Sequence, residues 1–255
     1  MRTGSSVRRD LAKFARYHLV RRAETYPVRE SELGIVPLSF DLDRYVERIR
    51  AFHGEAFDVD TEATATYRDR AHPILTVRSR GAAAGTLLVL AGVHGNEHAG
   101  LLAVPEILEA WTSERVRLVV VTPVNPVGAA ELSRFNAEGY DINRDFSRFG
   151  TLEARAVRSV FERERPDFVV SLHEGPQDAT FMFTNRFVPA ALAHDLCAAL
   201  AHGGTVLAER DYFGLRLDPP GVSPLRHPLI FLTSSPSPSP SPSPTKTSRA
   251  SAPSR

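Results

Sequence analysis

The stretch "TLLVLAGVHGNEHAG", residues 86–100, joins a short apolar run to a polar segment rich in histidine. The run "TLLVLAG" is continuous and ends in glycine, which predicts a buried β-strand rather than a surface one. The polar "HGNEH" follows directly, at the position where that strand ends. It is either a polar turn or part of a metal site. The rest of the chain has to decide between these two interpretations.

Two further apolar runs predict buried strands, "VRLVVVTPV" at 116–124 and "DFVVSLHEG" at 167–175. Helical patterns separate the three strands, "HAGLLAVPEILEAWTS" after the first and "LEARAVRSVFERERP" before the third. Alternating strands and helices predict an α/β fold, a single domain with a mixed, mostly parallel sheet flanked by helices. Each strand ends in a polar cluster, and the carboxyl ends of parallel strands meet at one edge of a sheet. We therefore expect the three clusters to lie together.

The remaining segments suggest how the chain is divided. Residues 1–50 are predicted to form an N-terminal helical segment, in which "DLDRYVERIRAF" carries apolar residues at helical spacing behind an aspartate that can cap the helix. Residues 51–233 are predicted to form the α/β domain. Residues 234–255 are a Ser/Pro repeat with a basic end, predicted to be a disordered tail. Because "RHPLIFLT" breaks off into this repeat, we expect the domain to be truncated at its C-terminal side.

Composition narrows the class of protein. The chain has 255 residues, enough for a large core, and 31 Lys+Arg against 30 Asp+Glu give a net charge of +1. This balance does not favour a nucleic-acid partner. No apolar run approaches the roughly 18 residues of a membrane span, and no secretory apolar region is evident. The single cysteine, Cys197, rules out an internal disulfide and suits a reducing compartment. We predict a cytoplasmic protein without a membrane span.

Three residues at two strand ends suggest a metal site. A catalytic zinc site needs three protein ligands and an open position for water, and two histidines with one glutamate are an established set. His94 and Glu97 follow the first strand, and His173 follows the third. H-x-x-E alone is frequent by chance, but its pairing with a histidine at another strand end is more specific. The alternative is a group of satisfied polar residues. We interpret His98 as a helix-start residue near the site.

The second strand leads into "NPVGAAELSRFNAEGYDINRDF", residues 125–146. This loop contains Arg134, Asn143 and Arg144. Guanidinium groups bind carboxylates through paired hydrogen bonds and also stabilise oxyanions. A salt-bridged scaffold is the alternative role of these arginines. We expect Asp141 to orient the loop through hydrogen bonds to backbone or arginine groups.

The ordered motifs carry a family resemblance. H-G-N-E, N-P-x-G, R-F-N-x-x-G-x-D-x-N-R-D-F and a strand ending in L-H-E resemble the zinc carboxypeptidase superfamily, and within it the succinylglutamate desuccinylase/aspartoacylase branch. The resemblance covers residues 85–176, about a third of the chain. The short gap between Glu97 and His173 favours the deacylase branch over the digestive carboxypeptidases. The resemblance implies a Zn²⁺ cofactor with three ligands, an arginine that stabilises the oxyanion, and two residues that bind the substrate carboxylate. The resemblance implies that His94, Glu97 and His173 hold the zinc ion. It implies that Arg134 stabilises the oxyanion, and that Asn143 and Arg144 bind the substrate carboxylate.

The resemblance also implies a function. It points to a zinc-dependent hydrolase that cleaves an amide bond next to a free carboxylate, of the N-acyl amino acid deacylase type. The substrate would be a small molecule or short peptide with a free carboxylate. Two alternatives stay open: a metallocarboxypeptidase acting on short peptides, and a non-catalytic zinc-binding remnant.

One catalytic group departs from the family pattern. The family's general base is a glutamate on a late strand, and the chain has no Asp or Glu after Asp218. Glu209 is the nearest glutamate and is our candidate for the base, although its sequence context does not match. Activity impaired by loss of this group is therefore part of the hypothesis.

Overall fold

The computed structural model describes residues 40–81, 83–174, 179–185, 187–208, 211–212, 215–217 and 221–223. Most of the predicted N-terminal segment, the whole Ser/Pro tail and Glu209 lie outside these residues. The predicted domain limits at residues 50 and 233 therefore stay predictions.

The described residues form six helices and nine strands. No helix among them combines the length and apolar character needed to cross a membrane. In chain order the elements are α1 (Leu42–Arg50), β1 (Phe57–Tyr67), β2 (Arg70–Ser79), β3 (Gly85–Leu90), α2 (His98–Ala110), β4 (Val116–Thr122), α3 (Pro126–Ala130), α4 (Ile142–Asp145), α5 (Leu152–Glu164), β5 (Phe168–Ser171), β6 (Met182–Phe183), α6 (Ala190–His202), β7 (Asp211–Tyr212), β8 (Leu215–Arg216) and β9 (Val222–Ser223).

The main sheet has five strands in the order β1-β2-β4-β3-β5. The three strands predicted from the apolar runs, β3, β4 and β5, pair in parallel, with β3 in the middle. β1 and β2 form an antiparallel hairpin, and β2 pairs antiparallel with β4. Arg68 and Asp69 form the hairpin turn with φ of 47° and 59°, the left-handed conformation that two-residue turns require. The predicted α/β fold with a mixed sheet is confirmed. The parallel pairs of this five-stranded sheet are β4–β3 and β3–β5, and β6 pairs in parallel with β9 in a separate two-stranded sheet.

Helices cover both faces of this sheet, as predicted. Side chains alternate between the faces along each strand, so Val89 and Val120 lie on one face while Leu88 and Val121 lie on the other. The first face packs against α1 and α2, and the second against α4 and α5. Full burial of an aliphatic side chain stabilises a fold by about 1.5–3 kcal/mol, which explains the continuous apolar runs of β3 and β4.

Two helices begin where the sequence indicates. Asp41 caps α1, its carboxylate accepting a hydrogen bond from Arg44 N at 3.0 Å. The apolar side of α1, including Tyr45 and Val46, is buried in the core that it shares with α2 and the sheet. α2 begins at His98 and continues through the buried Pro105, so this proline does not delay the helix start.

The sheet brings three loops to one edge. β3 lies between β4 and β5, and the three strands are parallel, so the segments that follow them emerge side by side. Backbone hydrogen bonds hold these segments together beyond the strands. Leu172 N donates to Leu90 O at 2.9 Å, and Asn125 N donates to Gly92 O at 2.8 Å. This edge is where the sequence places its polar clusters.

Candidate metal centre

His94, Glu97 and His173 converge at the carboxyl ends of β3 and β5. One potential ligand atom from each residue lies within 4.8 Å of the other two. His94 and Glu97 are buried, whereas His173 is exposed. Two residues from the β3–α2 loop and one from the end of a neighbouring strand thus surround one point with access to solvent. The sequence proposed this set, and the structure brings its members together.

Hydrogen bonds fix the orientation of each imidazole ring. Glu97 lies between the rings, with Oε1 2.6 Å from His94 Nδ1 and Oε2 2.7 Å from His173 Nδ1. On the outer side of the rings, His94 Nε2 lies 3.1 Å from Asp141 Oδ1, and His173 Nε2 lies 3.1 Å from Ser171 Oγ. The Nδ1 atoms therefore face the carboxylate, and the Nε2 atoms face partners that set the rotation of each ring.

Electrostatics keep Glu97 ionised. Burial alone would raise the pKa of its carboxyl, but the hydrogen bonds with His173 and His94 outweigh burial and hold the pKa at about 2. The pKa of Asp141 is lowered as well: burial opposes this, and the hydrogen bond with His94 and the charge of Arg134 dominate. Burial lowers the pKa of His94, while its bonds to Asp141 and Glu97 give a net raised value. The cluster is a compact arrangement of carboxylates and imidazoles.

The donor set fits a zinc ion. Two imidazole nitrogens and a carboxylate oxygen are a known catalytic zinc set, and ligands at about 2.0–2.2 Å from the metal would lie roughly 3.3 Å from one another. The Glu97 oxygens lie closer than this to both Nδ1 atoms, and the whole set lies within 4.8 Å. Small side-chain shifts suffice to open the cluster around an ion. Asp141 on His94 supplies the carboxylate–histidine contact that commonly supports such a ligand.

Arg134 lies against the carboxylates of this cluster. Its Nη1 donates to Glu97 Oε1 at 3.3 Å, and its Nε donates to Asp141 Oδ2 at 3.1 Å. Asp141 therefore contacts both His94 and Arg134. The sequence predicts its contact with an arginine, whereas it does not indicate the contact with the histidine. The guanidinium is held beside the candidate ligands by two charged bonds.

Asn143 and Arg144 lie in the short helix α4. Asn143 Oδ1 is buried and has no hydrogen-bond partner among the residues that the structure describes. Arg144 is exposed. An exposed cation next in sequence to an unsatisfied amide suits a polar ligand, because unpaired buried polar groups are costly. Both residues lie within three positions of Asp141 in the sequence, so the backbone connects them closely to the cluster.

Close packing between two loops requires glycine. A Cβ on Gly95 would lie 1.9 Å from Gly128 C and 2.2 Å from Ala129 N, inside the backbone of α3. Gly92 has φ +72° and faces Leu101, so it makes the tight turn that follows β3. Gly92 therefore serves the turn, whereas Gly95 is required for the contact between the two loops. Asn125 caps α3, accepting from Gly128 N at 2.9 Å.

A buried pair organises the loop that carries Arg134. Asn136 Oδ1 accepts hydrogen bonds from Glu138 N and Tyr140 N, and its Nδ2 donates to Glu153 Oε2 at 3.0 Å. Glu153 lies in the first turn of α5 and is buried. Burial raises the pKa of Glu153; the bonds from Asn136 and from its own N–H oppose the shift, and the nearby carboxylates of Glu138 and Asp145 add to it.

Glu153 should make stability depend on pH. Its raised pKa means that the folded state holds the proton more tightly than the unfolded chain, whose glutamates titrate near about 4.3. The stabilisation is complete below that pH and is lost as pH rises through the folded pKa. We expect Glu153→Gln to remove this pH-dependent loss, because a glutamine side chain does not ionise. In urea unfolding, the free energy of unfolding of the variant relative to the wild type should therefore increase with pH. The exposed Glu114, changed to Gln, is the control, and an equal pH profile for both variants contradicts the prediction.

Two neighbours of the ligands have supporting roles. His98, predicted to start a helix, is the first residue of α2; it is buried and its ring stacks on Phe40 at 4.7 Å between centroids. It is not one of the three clustered ligands. Sequence reasoning missed Ser171 as a partner of His173. Its position two residues before a strand-end histidine, on the same side of the strand, was the available signal.

Comparisons with known proteins agree with this fold. A metallopeptidase candidate of Shewanella baltica has a TM-score of 0.58 at 21% identity, with 72% of this chain and 74% of that chain covered. A metallo-carboxypeptidase of Pseudomonas aeruginosa, solved with (2-guanidinoethylmercapto)succinic acid, has a TM-score of 0.54 at 23% identity, covering 67% of this chain and 50% of that one. The "Probable carboxypeptidase 2" of Trichophyton verrucosum is 32% identical over 99 residues, 35% of this chain. The chain spans 19% of that relative's length.

The fold and the matches together define the class, a metallocarboxypeptidase-like α/β fold. Residues 83–205 match the profile of the succinylglutamate desuccinylase/aspartoacylase catalytic domain. This match confirms the resemblance seen in the motifs. The matched segment contains all three clustered residues and the arginine loop.

Proposed function

We propose that the protein is a zinc-dependent hydrolase that cleaves an amide bond next to a free carboxylate, of the N-acyl amino acid deacylase type. The observation that carries the proposal is the convergence of His94, Glu97 and His173 from two neighbouring strand ends. The family of residues 83–205 supports the deacylase type over a general metal-binding role. The substrate is a small molecule or short peptide. A cytoplasmic location, suggested by the single cysteine, is part of the proposal.

Each site residue has a separate role in the proposed reaction. When bound, zinc supplies a Lewis acid and lowers the pKa of a coordinated water. Arg134, which contacts Glu97, would donate hydrogen bonds to the negative charge that develops on the scissile carbonyl oxygen. Asn143 and Arg144 would bind the free carboxylate, a role that suits the exposed Arg144 guanidinium. Glu209 remains our candidate for the general base that accepts the proton of water and returns it to the amine.

A substrate panel on the purified chain tests the function. It comprises N-acyl amino acids and dipeptides, each assayed with zinc, after chelation and after zinc is restored. Preferential, zinc-dependent hydrolysis of N-acyl amino acids supports the proposal. Preference for dipeptides favours the metallocarboxypeptidase alternative, and bound zinc without hydrolysis favours the non-catalytic remnant. Absence of zinc binding rejects all three. Glu209→Gln, assayed in parallel, should abolish turnover if Glu209 is the base.

Substitution of Arg134 should impair catalysis much more than metal binding. We expect Arg134→Ala to lower kcat/KM by about 100- to 1000-fold, the usual cost of losing a donor to an oxyanion. Zinc affinity should change far less, because Arg134 is not one of the three clustered residues. Steady-state kinetics and competition with a chelator measure the two effects.

Arg48, which forms an exposed ion pair with Glu109, is the matched control as Arg48→Ala. If Arg134→Ala loses zinc affinity and activity to the same extent, the arginine is a scaffold for the ligands instead.

A further inference from the structure

The N-cap residue of helix α2 does not cap the helix with its side chain. Its N-cap is Glu97, whose carboxylate makes no capping hydrogen bond and lies between His94 and His173 instead. The first turn of α2 contains no acidic residue. By contrast, Asp41 caps α1 with its own side chain. Since the first N–H groups of a helix need acceptors, α2 requires one from elsewhere.

Glu174 supplies that acceptor from a distant part of the chain. Its Oε2 accepts a hydrogen bond from Ala99 N, in the first turn of α2, at 2.9 Å. Its backbone N–H donates to Glu97 Oε2 at 3.3 Å. Glu174 directly follows His173. One residue therefore holds both the helix end that carries Glu97 and the strand end that carries His173.

Backbone packing at the same place points to the same contact independently. A Cβ added to Gly100 would lie 3.0 Å from Leu172 Cβ and 3.5 Å from Leu172 O. The first turn of α2 therefore lies directly against the segment that precedes His173. This close approach is what allows the Glu174 side chain to reach Ala99. The helix and the strand end meet through both packing and a charged hydrogen bond.

We propose that Glu174 is a positioning residue that fixes Glu97 relative to His173 by capping α2 in place of Glu97. A carboxylate at a helix N-terminus interacts favourably with the helix dipole and forms a charge-assisted bond to the backbone N–H. The inference rests on the proposed function, because it assigns the two residues as ligands of one metal ion. Glu174 itself binds neither metal nor substrate; it fixes the spacing of the ligands that do.

Three substitutions test the role through zinc affinity, measured by competition with a chelator. Glu174→Ala should raise the zinc Kd by about 10- to 100-fold, the usual cost of losing a supporting contact to a ligand. Glu174→Gln should keep affinity within about threefold, because its amide oxygen still accepts from Ala99 N. Glu174→Asp keeps the charge but is one methylene shorter, so it should behave like Ala. Glu106→Ala, an exposed site on the same helix, is the control and should bind zinc like the wild type.

Amide exchange supplies a readout that does not depend on metal. The Ala99 N–H should exchange at least about tenfold faster in Glu174→Ala and in Glu174→Asp than in wild type, and should stay protected in Glu174→Gln. Lower thermal stability with unchanged zinc affinity would overturn the positioning role, and so would equal affinity of the Asp and Gln variants. If the wild type binds no zinc, the proposed function fails, and the exchange measurement alone tests the capping role of Glu174. Unchanged protection of the Ala99 N–H in Glu174→Ala then rejects that role, and faster exchange supports it.

Discussion

His94→Ala should abolish zinc binding and hydrolysis together. His94 is buried and contacts Glu97 on one ring nitrogen and Asp141 on the other, so its loss removes one of three donors and takes one hydrogen-bond partner from each of two carboxylates. We expect zinc affinity to fall by more than the roughly 100-fold that marks the loss of a supporting contact. Isothermal titration with zinc, together with the substrate panel, measures both effects.

His202→Ala is the matched control, since His202 is exposed at the end of α6. It should retain full affinity and activity. A thermal melt of each variant without metal shows whether the fold persists. Zinc binding by a folded His94→Ala at wild-type strength would show that the cluster is a set of satisfied polar residues and no metal centre.

Gly95→Ala should disrupt the site through packing alone. Its Cβ would lie 1.9 Å from Gly128 C, a distance that no rotamer can relieve because both partners are backbone atoms. The β3–α2 loop or α3 must move, and the loop carries His94 and Glu97. We expect a loss of about 3 kcal/mol or more in unfolding free energy, at or beyond the usual range for overpacking. Urea unfolding measures this loss, and zinc affinity should fall in the same variant.

Gly54→Ala provides the comparison. No atom lies within 4 Å of a Cβ placed there, and its φ is not in the left-handed region. We expect this variant to change stability by no more than about 1 kcal/mol. If Gly95→Ala is as stable as Gly54→Ala, the two loops are not packed as the structure places them.

Local patterns predicted the elements that carry the site. The apolar runs located β3, β4 and β5, and the aspartate at residue 41 indicated the start of α1. The β1–β2 hairpin is not among the strands that the continuous apolar runs predict. These features are determined over a few residues, where burial and periodicity leave a direct trace in the sequence.

The sequence by itself determined which side chains stand at the strand ends and, through the order of the motifs, the resemblance of residues 83–205 to the succinylglutamate desuccinylase/aspartoacylase catalytic domain. Only the tertiary structure decided that β3 lies between β4 and β5, which brings His94 and His173 together. It also decided that Asp141 pairs with His94 and that Glu174 caps α2. The physical reason is that these contacts join residues far apart in the chain, so they depend on strand order and close backbone packing, which no local pattern encodes.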